Sequence, residues 1–229
     1  MTPTGTSNEN PSKRGHFIVI EGLDRSGKTT QCQMLCEDIG GLDKEFKYIK
    51  FPDRITPTGQ VINAYLQGEA EHSDETMHLL FSANRWEAVQ GILRDLKAGH
   101  TIVVDRYAFS GAVYSAAKEN PHLSLEWCWN PDIGLPQPDL VLFLDISSED
   151  AAKRGGYGEE RYEKQDMQVK VRTLFKRLFA RLPNLSVKVI DAGLSMEDVA
   201  DQIWQAYKEL DEAGSPSEEL QVLPTLQAL

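Results

Sequence analysis

The stretch Gly22-Leu23-Asp24-Arg25-Ser26-Gly27-Lys28-Thr29 decides the fold of this chain. Its spacing, G-x-x-x-x-G-K-[ST], is that of a phosphate-binding P-loop. An apolar run, Phe17-Ile18-Val19-Ile20, precedes it, and a helix-forming run begins at Thr30. A chance glycine-rich turn would lack these neighbours, whereas a strand, a glycine-rich loop and a helix in this order predict a nucleotide site.

The residue types of this loop suit the phosphate chain of a nucleotide. Gly22 and Gly27 let the backbone wrap closely around an anion, because no Cβ stands in the way. Successive N–H groups then point inward, and the following helix adds the positive end of its dipole. We expect Lys28 to reach the β- and γ-phosphates and the Thr29 hydroxyl to hold Mg²⁺.

Two charged residues inside the loop, Asp24 and Arg25, occupy positions that many P-loops fill with small or neutral residues. An arginine beside the γ-phosphate can act as a built-in cation for the charge of the transition state, as an arginine finger does. The alternative is a solvent-facing pair with no role. We favour the functional interpretation, because charges on a phosphate cradle interact strongly with its ligand.

Length and charge bound the partners of the chain. Its 229 residues fit one α/β domain, and its formal net charge is -11 with a pI of about 4.9. An acidic surface repels nucleic acid and anionic membranes, so we expect neither as a partner. A small phosphorylated ligand is compatible if arginines are concentrated in one cleft. The three cysteines predict reduced thiols in an intracellular protein.

The two ends of the chain differ in composition from its middle. Residues 1–14 are rich in Thr, Ser, Asn and Pro without an apolar stretch, which predicts a disordered tail rather than a secretory signal. Residues 214–229 predict a second tail, and residues 15–213 a single domain. Within it, residues 149–165 mix glycines with charges, which is typical of either a mobile lid or a plain surface loop. We expect a cytoplasmic protein, with the nucleus as a second compartment.

Five short apolar runs predict five strands. They are residues 17–20, 47–51, 101–105, 139–146 and 187–191. Helical patterns separate the runs, and such alternation predicts a parallel sheet covered by helices on both faces. The fold class is therefore α/β of the P-loop NTPase type, with a five-stranded parallel sheet. Ligands of such sheets lie at the carboxyl ends of the strands.

Charged residues follow several of these runs. Arg54 comes shortly after Phe51-Pro52, where the proline ends strand pairing and fixes a turn. On spacing alone, Arg54 is either a ligand contact or an ordinary surface arginine. Asp105 ends the third run and Arg106 follows it, where an acid can organise a metal and an arginine can face the transferred phosphate. Asp145, at the end of the fourth run, is an equal candidate for that acid.

The longest helical pattern runs from about residue 73 to residue 98, between the N-cap candidate Ser73 and the C-terminal stop Gly99. Within it Phe81 and Arg85 are four residues apart, so they project side by side. The pair can stack a flat base and donate hydrogen bonds to its carbonyl edge. Alternatively, it is a core phenylalanine beside an arginine that reaches the surface. Periodicity alone favours the second interpretation.

Six motifs, taken together, carry a resemblance to a known family. They are residues 22–29, 51–54, 79–86, 104–111, 138–141 and 154–163. In this order and spacing the chain resembles thymidylate kinase of the eukaryotic type, over about residues 15–207. That family transfers the γ-phosphoryl group of ATP to dTMP, giving ADP and dTDP, with Mg²⁺.

The resemblance implies a role for each matching residue. The catalytic set is Arg25, Lys28, Asp24 and Arg106. The ATP-binding set is Gly22, Arg25, Ser26, Gly27, Lys28, Thr29, Thr30, Arg154, Asp191, Ala192 and Gly193. The dTMP-binding set is Asp24, Phe51, Arg54, Phe81, Arg85, Arg106, Tyr107, Ser110, Gly111, Tyr114 and Tyr162. The metal set is Thr29 and Asp105, with Mg²⁺ as cofactor, and this decides against Asp145.

For the base, the resemblance implies that Phe81 stacks on thymine and that Arg85 bonds to its O4, against the preference from periodicity. An arginine donates to a carbonyl, whereas cytosine presents an NH₂ donor at that position, so two donors would face each other unpaired. Asp24 would bind the sugar 3′-OH. Tyr114 is a candidate to crowd the 2′ position and so exclude ribonucleotides.

Two other functions stay open. A deoxynucleoside kinase also has a P-loop, but its acceptor is a hydroxyl and needs no phosphate clamp such as Arg54 and Arg106. A non-catalytic nucleotide-binding module would need neither Arg25 nor Phe81. A GTPase is disfavoured, because the sequence has no Asn-Lys-x-Asp guanine motif. The resembling family is usually a homodimer, and we expect the interface on the long helix around Phe81.

Overall fold

The computed structural model describes residues 14–152, 154, 165–214, 216 and 219–228. Its strands are β1 Phe17–Gly22, β2 Phe46–Lys50, β3 Thr101–Asp105, β4 Leu140–Asp145 and β5 Val187–Asp191. Its α-helices are α1 Lys28–Gly40, α2 Pro57–Leu66, α3 Asp74–Lys97, α4 Ala108–Ala116, α5 Leu125–Trp129, α6 Ser148–Ala152, α7 Gln165–Ala180 and α8 Met196–Glu212. A 3₁₀ turn, Asn130–Asp132, follows α5 directly.

The strands form one parallel sheet in the order β2-β3-β1-β4-β5. At its centre, Ile18 of β1 lies opposite Val103 of β3 and Leu140 of β4. Every residue of β1 and β3 is buried, as expected of apolar strands that are covered on both faces. The predicted α/β fold with a five-stranded parallel sheet is confirmed.

Helices cover the sheet in two groups. α1 packs against α8, and α4 packs against α3, α5 and α7. The long helix α3 agrees with its predicted pattern, because Ser73 accepts a hydrogen bond from the Thr76 N–H as N-cap, and Gly99, with φ of +91°, follows the helix end. In the described part of the chain, none of the helices combines the length and the hydrophobicity that crossing a bilayer requires.

The C-terminal residues differ from the predicted tail. Val222 forms a β-bridge with Pro136, and the buried Leu223 exchanges backbone hydrogen bonds with Gly134 and Leu135. Averaging the composition over residues 214–229 concealed a short apolar segment, which packs against the segment before β4. We call residues 220–228 the C-terminal strap.

The N-terminal tail and the lid lie largely outside the described residues. Arg14, which the prediction included in the tail, donates two hydrogen bonds to Asp139, at 2.8 and 2.7 Å. Residues 1–13 are not described. Of the predicted lid, residues 149–152 belong to α6 and residue 165 begins α7, whereas residues 153 and 155–164, including Tyr162, lie outside the described residues.

Candidate active site

A cavity of about 400 Å³ opens at the carboxyl ends of β1, β2 and β3. This is the edge of the sheet at which the sequence predicts a ligand. The predicted residues that line it from the P-loop are Asp24, Arg25, Gly27, Lys28, Thr29 and Thr30. Those that line it from other segments are Phe51, Arg54, Phe81, Arg85, Asp105, Arg106, Tyr107, Ser110, Gly111 and Tyr114. One cavity therefore collects motifs from distant parts of the chain.

The loop between β1 and α1 has backbone conformations with positive φ that glycine adopts easily. Gly27, the N-cap of α1, has φ of +92°. Gly22 has φ of +153°, and a Cβ there would lie 2.7 Å from the carbonyl oxygen of Leu144. Arg25 also has a positive φ, of +61°, a conformation that costs a non-glycine residue roughly 1–2 kcal/mol. Strain of this kind is typical of functional sites.

Lys28 lies buried inside the P-loop. Its ammonium group donates to the carbonyl oxygen of Leu23 and lies 3.3 Å from Oγ of the buried Ser26. The pKa of Lys28 is lowered to about 8, chiefly by burial and next by Arg106, whereas Asp24 and other carboxylates act in the opposite direction. The amine is therefore a cation that a phosphate would stabilise.

Asp105 ends β3 directly beside the P-loop. The Thr29 hydroxyl donates to Oδ2 of Asp105 at 2.5 Å, and the Lys50 ammonium lies 3.5 Å from the same oxygen. Burial raises the pKa of Asp105, but Lys28 and the Thr29 hydrogen bond outweigh burial, so the pKa lies below its ordinary value. Oδ1 of Asp105 is buried without a hydrogen-bond partner among the described residues. The hydrogen-bonding capacity of this oxygen is therefore not used within the described residues.

Asp145, the rival acid, is held elsewhere. Arg172 donates two hydrogen bonds to its carboxylate, at 2.5 and 2.9 Å, and Lys176 lies 3.4 Å away. Asp145 does not line the cavity, so the geometry favours Asp105. A hydroxyl and one carboxylate suit Mg²⁺, which keeps several waters and binds substrate phosphates. Across the residues that the structure covers, no group of three or more His, Cys, Asp or Glu side chains is arranged to hold a metal.

Arg106 and Asp24 form an ion pair in the cavity wall. Arg106 has φ of +68°, and its guanidinium lies 5.1 Å from the ring centroid of Tyr114. Asp24 also accepts hydrogen bonds from the Tyr114 hydroxyl at 3.0 Å and from the Gln168 amide at 2.7 Å. Burial raises the pKa of Asp24, but Arg106 and its other neighbours lower it more, and the carboxylate is therefore ionised at neutral pH.

Glu21, buried in β1, orients this wall. Its Oε1 accepts hydrogen bonds from the N–H groups of Tyr107 and Ser110, at 2.9 and 3.0 Å, and so satisfies donors at the start of α4. The Ser110 hydroxyl donates to Oε2 and accepts a bond of 3.1 Å from Arg106. The Tyr107 hydroxyl donates to the carbonyl oxygen of Pro136 at 3.2 Å. The polar groups of Tyr107 and Ser110 are thus bonded within the protein, although both residues line the cavity.

Arg54 is carried by the connection between β2 and α2. Asn84 of α3 fixes this connection, since its amide donates to the Asp53 carbonyl at 3.1 Å and accepts from the Asp53 N–H at 2.7 Å. The guanidinium of Arg54 donates to the Asn63 side chain at 3.0 Å. Helix α3 therefore also holds the loop that presents Arg54 to the cavity.

Phe81 and Arg85 line the cavity together from α3. Arg85 is buried, and its Nε and Nη2 donate to the two carboxylate oxygens of Asp132, at 3.1 and 2.6 Å. Gly111 of α4 lies against the same guanidinium, because a Cβ there would stand 2.6 Å from Nη2. Arg85 therefore does not reach the protein surface, which was the alternative that periodicity favoured.

Arg154 joins the P-loop to the turn after β5. Its Nη1 donates to the carbonyl oxygen of Arg25 at 3.0 Å, and its Nη2 donates to that of Ala192 at 2.5 Å. Within the turn, the Gly193 N–H donates to the Asp191 carboxylate at 2.9 Å. These residues of the predicted ATP set lie beside the P-loop, although Arg154 and the turn do not line the cavity.

Sequence reasoning missed Glu21, Gln168 and Asp132, which hold the predicted residues in place. Glu21 carried a signal, because an acidic residue interrupts an apolar strand. Gln168 lies in α7 after the predicted lid, and Asp132 lies in the proline-rich segment before β4, where no periodicity marks either residue. Their positions depend on tertiary contacts that are remote in sequence.

Comparisons with known proteins agree with this geometry. A model of the family described as thymidylate kinase matches residues 20–203. A thymidylate kinase of Schizosaccharomyces pombe is 51% identical over 83% of this chain and 90% of its own length. One of Homo sapiens is 46% identical over 84% of this chain and 89% of its own length. Among solved structures, thymidylate kinase from Candida albicans has a TM-score of 0.85 at 39% identity, covering 93% of this chain and 99% of that chain.

Proposed function

The chain belongs to the thymidylate kinase family, and we propose that it transfers the γ-phosphoryl group of ATP to dTMP, giving dTDP and ADP. One observation carries the proposal. A single cavity, of a volume that suits small ligands, joins the P-loop to the phenylalanine and arginine pair of α3. A phosphate donor and a flat base therefore have adjacent binding surfaces.

The cavity has two functional ends. The phosphate end consists of Asp24, Arg25, Lys28, Thr29, Arg54, Asp105 and Arg106. The base end consists of Phe81, Arg85 and Gly111. All of these residues line the same cavity.

The reaction needs little covalent chemistry from the protein. A phosphate oxygen of dTMP attacks the γ-phosphorus of ATP, while the bond from that phosphorus to the β,γ-bridging oxygen breaks and ADP leaves with the electron pair. The attacking oxygen is already a nucleophile, so no strong general base is required. Catalysis then rests on positioning and on neutralising charge. Lys28 binds the β- and γ-phosphates, and Arg25 stabilises the charge on the transferred group.

Thr29 and Asp105 are the residues that would hold Mg²⁺. The unpartnered Oδ1 of Asp105, together with the hydroxyl that donates to Oδ2, supports this assignment. Bound Mg²⁺ would neutralise charge on the β- and γ-phosphate oxygens. Lys50, close to the same carboxylate, keeps Asp105 ionised and oriented.

On the donor side, Arg154 and the turn 191–193 form the ATP contact next to the P-loop. The hydrogen bonds from Arg154 to the backbone of Arg25 and of Ala192 link this turn to the catalytic loop. We assign two roles to Arg154, ATP binding and support of the Arg25 backbone. To Arg25 we assign the stabilisation of charge in the transition state.

The acceptor is dTMP. Arg54 and Arg106 bind its phosphate, a clamp that a hydroxyl acceptor would not need. Asp24, which is ionised beside Arg106, accepts a hydrogen bond from the sugar 3′-OH. Tyr114 crowds the 2′ position, because its hydroxyl bonds to Asp24 and its ring covers Arg106.

The base end selects thymine. Phe81 stacks on the ring, and Arg85 donates to O4. Cytosine would present an NH₂ group to the same donor and leave both groups unpaired, which hydrogen-bonding sites reject strongly. Buried Phe51 supports the sugar side of the cavity through its contact with Tyr107, at 5.9 Å between ring centroids.

A homodimer through α3 accompanies this function. Leu79, Trp86 and Leu93 are spaced by seven residues along α3, and each exposes more than a third of its surface. An apolar stripe of this kind is suited to packing against a second copy. Light scattering of the wild type and of Leu79→Glu tests it. A dimer that becomes a monomer on substitution is expected, and an unchanged mass would contradict the proposed interface.

The product of the reaction tests the activity itself. Radiolabelled [γ-³²P]ATP, Mg²⁺ and dTMP are incubated with the protein, and the nucleotides are separated by chromatography. Label in dTDP is the expected result. Release of inorganic phosphate without labelled dTDP would contradict phosphoryl transfer to dTMP and favour a nucleotide-binding module that only hydrolyses ATP.

A further inference from the structure

The partner of Arg85 is a buried carboxylate from another part of the fold. Asp132 lies in the 3₁₀ turn after α5, and none of its surface is exposed. Its two oxygens accept from Nε and Nη2 of Arg85, the side-on arrangement of two parallel hydrogen bonds. The plane of the guanidinium is therefore fixed by Asp132.

This geometry leaves three N–H groups of Arg85 without a hydrogen bond in the described structure, two on Nη1 and one on Nη2. Within the described ranges, Nη1 makes no hydrogen bond, while Nε and Nη2 are both bonded to Asp132. Arg85 lines the cavity, and its Nη1 is not fully buried, in contrast to the buried atoms that lack a partner in the described structure. Nη1, with two of these N–H groups and no bond to Asp132, therefore has the greatest donor capacity left for a base.

Glycine on α4 limits the guanidinium from another direction. A Cβ on Gly111 would lie 2.9 Å from Nη1 and 2.6 Å from Nη2 of Arg85. Asp132 and the glycine backbone together leave little freedom for the guanidinium, and the direction of its remaining N–H groups is set before a ligand binds.

Asp132 is itself held firmly. The Ser82 hydroxyl, one turn before Arg85 on α3, donates to Oδ1 of Asp132 at 2.7 Å and lies 3.1 Å from the Pro131 carbonyl oxygen. The C-terminal strap backs the same segment, because Gly134 donates to the Leu223 carbonyl at 3.0 Å and Trp129 donates to that of Pro224 at 2.7 Å.

We propose that Asp132 is a positioning residue for base selection: it holds the Arg85 guanidinium so that Nη1 reads the carbonyl at position 4 of the pyrimidine. The inference rests on the proposed role of Arg85 at the base end. An arginine with a free torsion could turn an edge away from the NH₂ group of cytosine and admit water between them. An arginine fixed by two hydrogen bonds cannot, so the wrong base leaves donors unpaired.

Three variants test the proposal, with kcat/KM measured for dTMP and for dCMP. Asp132→Asn has almost the same shape but loses the charge and one acceptor. Asp139→Asn is the matched control, because Asp139 also accepts two hydrogen bonds from a partly buried arginine, Arg14, but that arginine, unlike Arg85, does not line the cavity. Arg85→Met tests the underlying role of Arg85 separately. Thermal unfolding of each variant is recorded in parallel.

We expect Asp132→Asn to reduce the dTMP to dCMP ratio of kcat/KM by about 10- to 100-fold, mainly through a higher KM for dTMP. The KM for ATP should stay unchanged, which a general loss of structure would not allow. Asp139→Asn should lower the unfolding temperature and leave the ratio as in the wild type.

A folded Asp132→Asn protein with the wild-type ratio would overturn the proposal. If that variant does not fold, Ser82→Ala tests the proposal instead. It removes the hydrogen bond from Ser82 to Asp132 and keeps the ion pair between Asp132 and Arg85. A drop of about threefold in the ratio is then expected, and an unchanged ratio overturns the inference. If Arg85→Met keeps the wild-type ratio, the assigned role of Arg85 is refuted. If the ratio falls in Arg85→Met but not in Asp132→Asn, Arg85 keeps its role in base selection and only the positioning role of Asp132 is refuted.

Discussion

The two ends of the cavity hold their charges in different ways. At the phosphate end, cations and carboxylates meet through single contacts, and Oδ1 of Asp105 lacks a hydrogen-bond partner in the described part of the chain. At the base end, Arg85 and Asp132 share two hydrogen bonds, with exposures of 2% and 0%. The arrangement at the phosphate end leaves charged groups that are only partly compensated within the protein and can interact with a ligand. The arrangement at the base end fixes the direction of a donor before the ligand arrives.

The contrast is informative because the chain as a whole is acidic. Its net charge is -11, yet six Lys or Arg and two Asp are among the described residues that line the cavity. A positive cleft on an acidic protein attracts small phosphorylated ligands without giving the outer surface an affinity for polyanions. We propose that charge brings nucleotides to the cavity and that the fixed guanidinium distinguishes one base from another.

Removing the P-loop arginine tests the phosphate end most severely. Arg25→Ala should lower kcat by about 10³-fold, since an arginine at the transferred group contributes roughly 10³–10⁵ in rate. The KM for dTMP should change by no more than a few-fold, because the base end is intact. Coupled ADP release at saturating ATP measures both constants.

Arg154→Ala is the matched control for Arg25→Ala. Arg154 contacts the backbone of Arg25, so its loss should raise the KM for ATP and reduce kcat by less than about tenfold. A fall in kcat as large as that of Arg25→Ala would assign the catalytic cation to the lid and contradict the account.

At the base end, Phe81→Ala should act on binding rather than on turnover. Loss of one stacked base contact is worth about 1–3 kcal/mol, so the KM for dTMP should rise by about 10- to 100-fold while kcat stays within a few-fold. Phe81→Tyr keeps the ring and should remain close to the wild type. A lower kcat with an unchanged KM would mean that Phe81 belongs with the catalytic groups.

Between the two ends, Tyr114 should set the choice of sugar. Tyr114→Ala should raise kcat/KM for the ribonucleotide, relative to dTMP, by about tenfold, because removing the ring opens space at the 2′ position. Tyr114→Phe loses the hydrogen bond to Asp24 but keeps the ring, and it should still exclude the ribonucleotide. If the alanine variant gains nothing on the ribonucleotide, Tyr114 does not crowd this position.

A pH profile sharpens the description of the phosphate end. The pKa of Lys28 is lowered to about 8 in the free protein, and the amine must be protonated to pair with phosphate. The kcat/KM for ATP, which reports the free enzyme, should therefore be constant below this pKa and fall as the pH rises through it. Bound phosphates stabilise the cation, so the corresponding fall in kcat should occur at higher pH.

Lys28→Arg provides the control for this profile, because a guanidinium stays protonated throughout the range. Its residual activity should lack the basic limb. If kcat/KM for ATP fell at the same basic pH in the wild type and in the variant, the titrating group would be one other than Lys28.

The smallest effect on turnover is expected at the C-terminal strap, which lies behind the base end. Leu223 is buried, so Leu223→Ala should lower the free energy of unfolding by about 2–4 kcal/mol and change kcat by less than about twofold. Val222→Ala, next to it and exposed, should be nearly neutral. Chemical denaturation measures both, and equal stabilities for the two variants would contradict the packing of the strap.

Much of the phosphate end could be predicted from sequence, because its residues belong to local motifs. The P-loop spacing predicts Lys28 and Thr29, and the ends of buried strands predict Asp105 or Asp145, between which the family resemblance chose Asp105. Periodicity predicts that Phe81 and Arg85 share a face. It could not predict what faces them, because Arg85 depends on Asp132, which is 47 residues away.

The strap and the supports of Asp24 escaped prediction for a related reason. Composition describes a segment in isolation, and residues 220–228 gain their order from the segment before β4. Gln168 becomes a partner of Asp24 only because α7 packs beside α4. Local chemistry is visible in a sequence, whereas the contacts that orient it are made by the fold.

The most direct test of both ends compares three acceptors in one assay of the wild-type protein. ADP release is measured with ATP and Mg²⁺ in the presence of dTMP, thymidine or dCMP. We predict a kcat/KM for dTMP that exceeds the values for thymidine and for dCMP by at least about 100-fold. The phosphate end causes the discrimination against thymidine, and the base end causes the discrimination against dCMP. A preference for thymidine over dTMP would contradict the phosphate clamp of Arg54 and Arg106, and equal use of dCMP would contradict base selection by Arg85.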